Sequence, residues 1–136
     1  MDRRPSGRIP MTDTDAATTK DTVRRYYAIL GAGAAGFDPD RLRAVLAPDL
    51  VFEGPIAGHR VGAEPFIAGA AGFVRAARRI DLLHQLHVGE EAAALYDAEL
   101  PGGAVRFAEF FRVGDGRIRS LRLLYDAAEF RARGGR

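Results

Sequence analysis

Ala104-Val105-Arg106-Phe107-Ala108-Glu109-Phe110-Phe111-Arg112-Val113 alternates with the period of two that marks a half-buried β-strand. Counting by twos places Val105, Phe107, Glu109, Phe111 and Val113 on one face. Every member but Glu109 is apolar, so this face is the buried one and the acid is its anomaly. A carboxyl group among phenylalanines resists ionisation, and its pKa rises unless a cation or several hydrogen-bond donors reach it. Such a residue is either a structural acid paired with an arginine, for which Arg60 is available, or a working group in a pocket.

The segments around this strand have the same character. Gly114-Asp115-Gly116 reads as a hairpin turn into a strand from Arg117 to Tyr125. Upstream, Ile80 to Val88 and Ala92 to Leu100 read as strands, connected through Gly89-Glu90-Glu91 and Pro101-Gly102-Gly103. Helical spacing governs the first half of the chain. Val23, Tyr26, Tyr27 and Leu30 form one apolar stripe from about Lys20, with Thr19 or Asp21 as cap. Gly31 to Gly36 break that helix; because this glycine-rich run follows a helix and not a strand, it is not a dinucleotide-binding loop. Asp38-Pro39-Asp40 opens a second helix over Leu42, Val45 and Leu46, with Asp38 as N-cap, and Pro48 stops it. Leu50 to Glu53 is a short strand ended by Gly54-Pro55; a loop carries Gly58, His59, Arg60 and Gly62, and a third helix runs from about Ala63 to Arg79. Three helices followed mainly by an antiparallel meander predict an α+β domain with its helices on one face of a curved sheet.

Composition sets the outer limits. With 136 residues, 47% of them hydrophobic, the chain makes one domain over residues 21–131. Residues 1–20 are polar and aperiodic and are expected to form a disordered tail, within which Met11 is an alternative start; residues 132–136 are expected to be disordered as well. Net charge is +2 and the arginines are scattered, which argues against a nucleic-acid stripe. Absence of cysteine excludes disulfides and thiolate chemistry, and three isolated histidines argue against a metal site. There is no apolar run of the roughly 20 residues that a membrane span needs, nor a signal-peptide core, so the expected location is the cytoplasm.

Three motifs, in this order and spacing, resemble the nuclear transport factor two-like superfamily, which includes ketosteroid isomerases, SnoaL-like polyketide cyclases and limonene epoxide hydrolases. They are Val23-Arg24-Arg25-Tyr26-Tyr27-Ala28-Ile29-Leu30, Leu46-Ala47-Pro48-Asp49-Leu50-Val51-Phe52-Glu53-Gly54-Pro55, and Glu109-Phe110-Phe111-Arg112-Val113-Gly114-Asp115-Gly116-Arg117-Ile118. The resemblance spans about Thr22 to Phe130. It implies a cone-shaped α+β barrel, three N-terminal helices on a strongly curved sheet around an apolar cavity, and a homodimer formed through the outer sheet face. In the isomerases a tyrosine on the first helix and a protonated aspartic acid on a central strand donate to a developing enolate oxygen. Those positions correspond here to Tyr26 and Glu109; the aspartate that shuttles the proton corresponds to Gly54.

The resemblance and strand parity together give an expected site. Tyr26 and Glu109 are the candidate catalytic pair, with Glu53, His84 and Asp126 as further possible bases. Parity groups His84 with Ile80, Leu82, Leu86 and Val88, whereas Asp126 has the alternative role of capping a last helical turn, Ala127 to Arg131. Phe52, His59, Phe73, Tyr96, Phe107, Phe111, Leu121, Leu123 and Tyr125 are expected around the substrate. Such a wall suits a small hydrophobic or oxygenated molecule and needs no cofactor. The expected chemistry is proton transfer next to a carbonyl, in which Tyr26 polarises the oxygen and Glu109 is either neutral donor or base. The alternatives are a non-catalytic dimeric module that binds a small ligand, and an epoxide hydrolase.

Overall fold

The structure, a computed structural model, describes residues 13–135. Helix α1 runs Asp13–Gly31, followed by the short α2 Gly33–Gly36, α3 Pro39–Ala44, β1 Leu46–Gly54, β2 Gly58–Val61 and α4 Ala63–Ala76. The meander β3 Arg79–Val88, β4 Glu91–Leu100, β5 Gly103–Gly114 and β6 Arg117–Leu124 comes next, then α5 Ala127–Ala132. The six strands form one curved, open sheet in the order β2-β1-β6-β5-β4-β3. All pairings are antiparallel except β1 with β6, so the sheet is mixed and its two edge strands, β2 and β3, do not meet.

Several elements differ from the sequence expectation. Helix α1 starts at Asp13, inside the stretch expected to be disordered; residues 1–12 of that stretch lie outside the described residues. Thr19 is therefore not a cap. It lies within α1, buried, and its hydroxyl donates to the Gly89 carbonyl at 2.7 Å, tying the helix to the β3–β4 turn. The other end of the chain is also ordered as far as Gly135: the Arg133 carbonyl accepts from the Gly102 amide at 2.9 Å. The expected loop after Gly54 contains β2, whose Arg60 and His59 pair with Phe52 and Glu53 of β1. Its pairing comes from the exposed edge of β1, not from any alternation of its own.

Two caps are realised as read, although α3 ends at Ala44 and both Leu46 and the expected stop, Pro48, lie in β1. Asp38 caps α3 by accepting from the Asp40 and Arg41 amides, with Pro39 in the first turn, an arrangement that contributes about 1 kcal/mol. Asp126 caps α5 by accepting from the Glu129 amide at 2.9 Å.

The concave face of the sheet carries the core. Ala92, Ala94, Tyr96, Ala98 and Leu100 of β4 meet Val105, Phe107, Phe111 and Val113 of β5 beneath Val23, Tyr26 and Leu30 of α1 and Ile67 and Val74 of α4. Phe107 sits at the centre, its ring centroid within 6 Å of those of Phe73, Tyr96, Tyr125 and Phe130. Burying a side chain of this size stabilises the fold by about 1.5–3 kcal/mol. The outer face is laced by directly opposed charges, Asp97 with Arg106, Glu91 with Arg112 and Glu53 with Arg122. Exposed pairs of this kind add little stability, but they oppose a one-residue slip of register. No helix among the described residues is long and apolar enough to cross a membrane.

Candidate active site

Strand β5 delivers Glu109 to the concave face, where its cross-strand neighbours are Ala94 and Leu123. Its side chain is 1% exposed. Ala94 is small, and above it α1 brings down two consecutive phenols. The Tyr27 hydroxyl donates to Oε1 of Glu109 at 2.5 Å and the Tyr26 hydroxyl donates to Oε2 at 2.9 Å. The two rings meet edge-on, centroids 5.0 Å apart, and Phe111 packs edge-on against both. Among the described residues no arginine or lysine pairs with Glu109, so the Arg60 alternative does not hold. Arg60 donates to the Ala57 carbonyl at 3.2 Å and is exposed.

Burial dominates the electrostatics of this trio. It pushes Glu109 up from its ordinary value to about 7, and the bonds from Tyr27 and Tyr26 pull in the opposite direction. Both phenols are held well above their usual range, first by burial and then by the neighbouring Glu109 charge. They are therefore neutral donors throughout the physiological range, and the carboxyl is the group that titrates near neutrality.

Glu109 and Tyr26 face a cavity of about 300 Å³, at the lower end of the roughly 300–1,000 Å³ usual for small-molecule sites. Its walls include Phe52, Phe73, Tyr96, Phe107, Leu121, Leu123 and Tyr125, all expected from the sequence. They also include Leu30, Phe66, Gly69 and Ala70, which sequence reading missed, and Arg60 borders the cavity beside Ile56 and Ala57. Arg60 is the cross-strand neighbour of Phe52, so it rises on the cavity side of the β1–β2 edge.

Other expected residues lie elsewhere. Phe111 packs on the two phenols and does not border the cavity, nor does His59, which is exposed on β2. Glu53 reaches the cavity rim, but its carboxylate is turned to Arg122 on the outer face, 3.1 Å from the guanidinium. Asp126 is exposed and occupied as the α5 cap. His84 is exposed on the outer face because of a bulge: Leu82 pairs with Tyr96 but His84 pairs with Leu95, leaving Leu83 as the extra residue. Beyond it every side chain of β3 changes face, sending Leu86 and Val88 outward as well and turning Gln85 and His87 toward α1.

The site thus joins a tyrosine on the first helix, an acid on a central strand and a hollow between helices and a curved sheet. Residues 23–121 match the family described as the SnoaL-like domain. The chain belongs to the SnoaL-like domain family. Solved structures agree on the fold. A protein from Kribbella flavida DSM 17836 is 28% identical, with 82% of this chain and 89% of that one covered and a TM-score of 0.73. A steroid delta-isomerase from Pseudomonas aeruginosa is 19% identical, with 93% and 90% covered and a TM-score of 0.72. A candidate SnoaL-like polyketide cyclase from Jannaschia sp. CCS1 is 18% identical, with 95% and 96% covered and a TM-score of 0.71. No protein with a curated description matches the chain.

Within this SnoaL-like domain Gly54 forms part of the cavity wall on the concave side of β1. A Cβ placed there would meet only Leu123, at 3.7 Å, so the wall is open at this point and bears no side chain. Glu109 is thus the cavity carboxyl not committed to a cation. The second phenol, Tyr27, is the functional candidate that sequence reading passed over. Its signal was present: two adjacent tyrosines on the apolar stripe of α1 can both reach one acid on the strand beneath.

Proposed function

We propose that this SnoaL-like domain catalyses cofactor-free proton transfer next to a carbonyl in a compact hydrophobic substrate, with Glu109 as the base. The observation that carries this reading is the buried carboxyl at the cavity wall, held at both oxygens by phenols and poised near pH 7. A base of that strength is half-ionised at neutrality and yet strong enough to accept a proton from an activated C–H bond. Each carboxylate oxygen keeps a free lone pair after accepting one phenol hydrogen. In the step itself, the C–H bond breaks, an O–H bond forms on Glu109, and the electron pair moves to the substrate oxygen as an enolate. Return of the proton to another carbon is an isomerisation; attack of the enolate carbon on a second carbonyl within the substrate, whose new alkoxide takes the proton back from Glu109, is a cyclisation.

The test is hydrogen exchange at carbon in deuterated water. A panel of small cyclic ketones and enones, incubated without metal or nucleotide, is expected to take up deuterium next to the carbonyl faster with the protein than without it. Binding without any exchange across the panel would favour the second reading, a non-catalytic ligand-binding module, which the empty wall at Gly54 supports.

We further propose a homodimer through the outer sheet face, where Val51, Leu124 and Phe110 are exposed on the adjacent strands β1, β6 and β5, and Leu86 and Val88 on the edge strand β3. Sedimentation at micromolar concentration is expected to give twice the mass of the chain, and Phe110→Arg is expected to shift it toward the monomer. A monomeric wild type would discard the dimer.

A further inference from the structure

Two cavity phenols, Tyr96 and Tyr125, play no part in holding Glu109. Tyr96, on β4, is buried and stacked on Phe107, rings 5° from parallel with centroids 5.0 Å apart. Tyr125, just after β6, packs on the same ring at 4.8 Å. Both border the cavity. A phenol has one hydrogen to give, and Tyr26 and Tyr27 have given theirs to Glu109. Among the described residues the hydroxyls of Tyr96 and Tyr125 donate to no protein acceptor. Tyr96 is buried and Tyr125 half-buried, and a buried hydroxyl is seldom left without a partner. One that borders a hollow is placed to donate to whatever fills it.

Charge relations put the Tyr96 hydroxyl near the acid and near Tyr125. After burial, the charges of Glu109 and Tyr125 are what hold the Tyr96 pKa above its usual range, so Tyr96 lies within electrostatic reach of both. Burial also raises Tyr125, against the Arg131 charge and the Ile56 amide. Both phenols are neutral and can donate.

We propose that Tyr96 and Tyr125 form the oxygen-binding subsite of the cavity, donating to the carbonyl oxygen of the substrate while Glu109 faces the adjacent carbon. This rests on the proton-transfer reading and deepens it. The assignment moves polarisation of the oxygen from the helix tyrosine to the strand tyrosines and leaves Tyr26 and Tyr27 to orient the base. As the proton passes from carbon to Glu109, the oxygen gains charge and the two hydrogen bonds strengthen, which is where such donors accelerate a reaction. The ligand class follows: a compact apolar ketone, enone or ester whose only polar requirement is an acceptor oxygen.

The experiment reads binding alone, so it is independent of turnover. Acetophenone labelled with ¹³C at the carbonyl cannot donate a hydrogen bond, and ethylbenzene is its hydrocarbon counterpart. The wild type is expected to bind the ketone on the order of tenfold tighter than the hydrocarbon, the size of one or two hydrogen bonds. The infrared band of the bound carbonyl is expected below its position in hexane. In Tyr96→Phe/Tyr125→Phe the preference should vanish and the band return to the hexane position, with ethylbenzene affinity retained as the sign of an intact cavity. A lowered band that survives the double substitution, one lost in Tyr26→Phe instead, or a wild type with no ketone preference would overturn the subsite. A protein that passes this test yet exchanges no deuterium would fail the proton-transfer reading alone.

Discussion

Glu109→Gln is expected to lower deuterium exchange by about a thousandfold while leaving the fold in place. The substitution keeps the side chain's shape and removes only its ability to accept a proton, and positioned general bases contribute typically about 10²–10⁴-fold. The fold should survive because the amide retains an acceptor oxygen for one tyrosine and offers an N–H to the other, whose hydroxyl can turn to accept. Circular dichroism together with exchange measured at pH 8, where the wild-type carboxyl is largely ionised, separates lost chemistry from lost structure. Exchange at the wild-type rate in a folded Gln variant would remove Glu109 from the mechanism.

The same residue is expected to make the stability of the protein strongly dependent on pH. Glu109 titrates near its ordinary value of 4.5 in the unfolded chain and near 7 in the folded one. Between those values the folded state holds a proton that the unfolded state has lost, so stability falls as pH rises across that window and levels off above it. The size of the shift corresponds to about 3 kcal/mol, a large share of the roughly 5–15 kcal/mol that holds a typical domain together. Urea denaturation of wild type and Glu109→Gln at intervals from pH 4 to pH 8 reads the effect. The difference between the two proteins should grow in favour of the Gln variant by about that amount between pH 4.5 and pH 7. Parallel curves would mean that Glu109 ionises equally easily in both states.

The residues that were legible in the sequence share one property: their placement depends on local periodicity. Glu109 was visible because ten consecutive residues of β5 alternate without interruption; the same count places Phe107 beside it, and parity joined to the family resemblance turns Tyr96 and Leu121 inward. His84 was misplaced because parity holds only until a residue is inserted, and nothing in Leu82-Leu83-His84 announces which leucine is the extra one. That choice is made by pairing with β4, a tertiary fact. Strand β2 was hidden for a similar reason, since its four exposed residues have no apolar pattern and take their conformation from the edge of β1. The early start of α1 belongs to the same class: Thr19 looks like a cap until its hydroxyl finds Gly89, 70 positions away. Tyr27 differs, because its position was read correctly and only its partner was not. A resemblance that supplies one tyrosine per acid directs attention away from the second.

Gly69 lies within α4 at the edge of the hollow, and nothing stands within 4 Å of where its Cβ would be. A glycine inside a helix weakens it by roughly 0.5–1 kcal/mol relative to alanine. There is space for a larger residue, and the helix would gain from one. The molecule at this point is less stable than its own backbone permits, and what it keeps in exchange is room for a guest. Any programme of directed evolution that rewards heat resistance alone will find this position early, and each methyl group that it adds will be taken from the ligand.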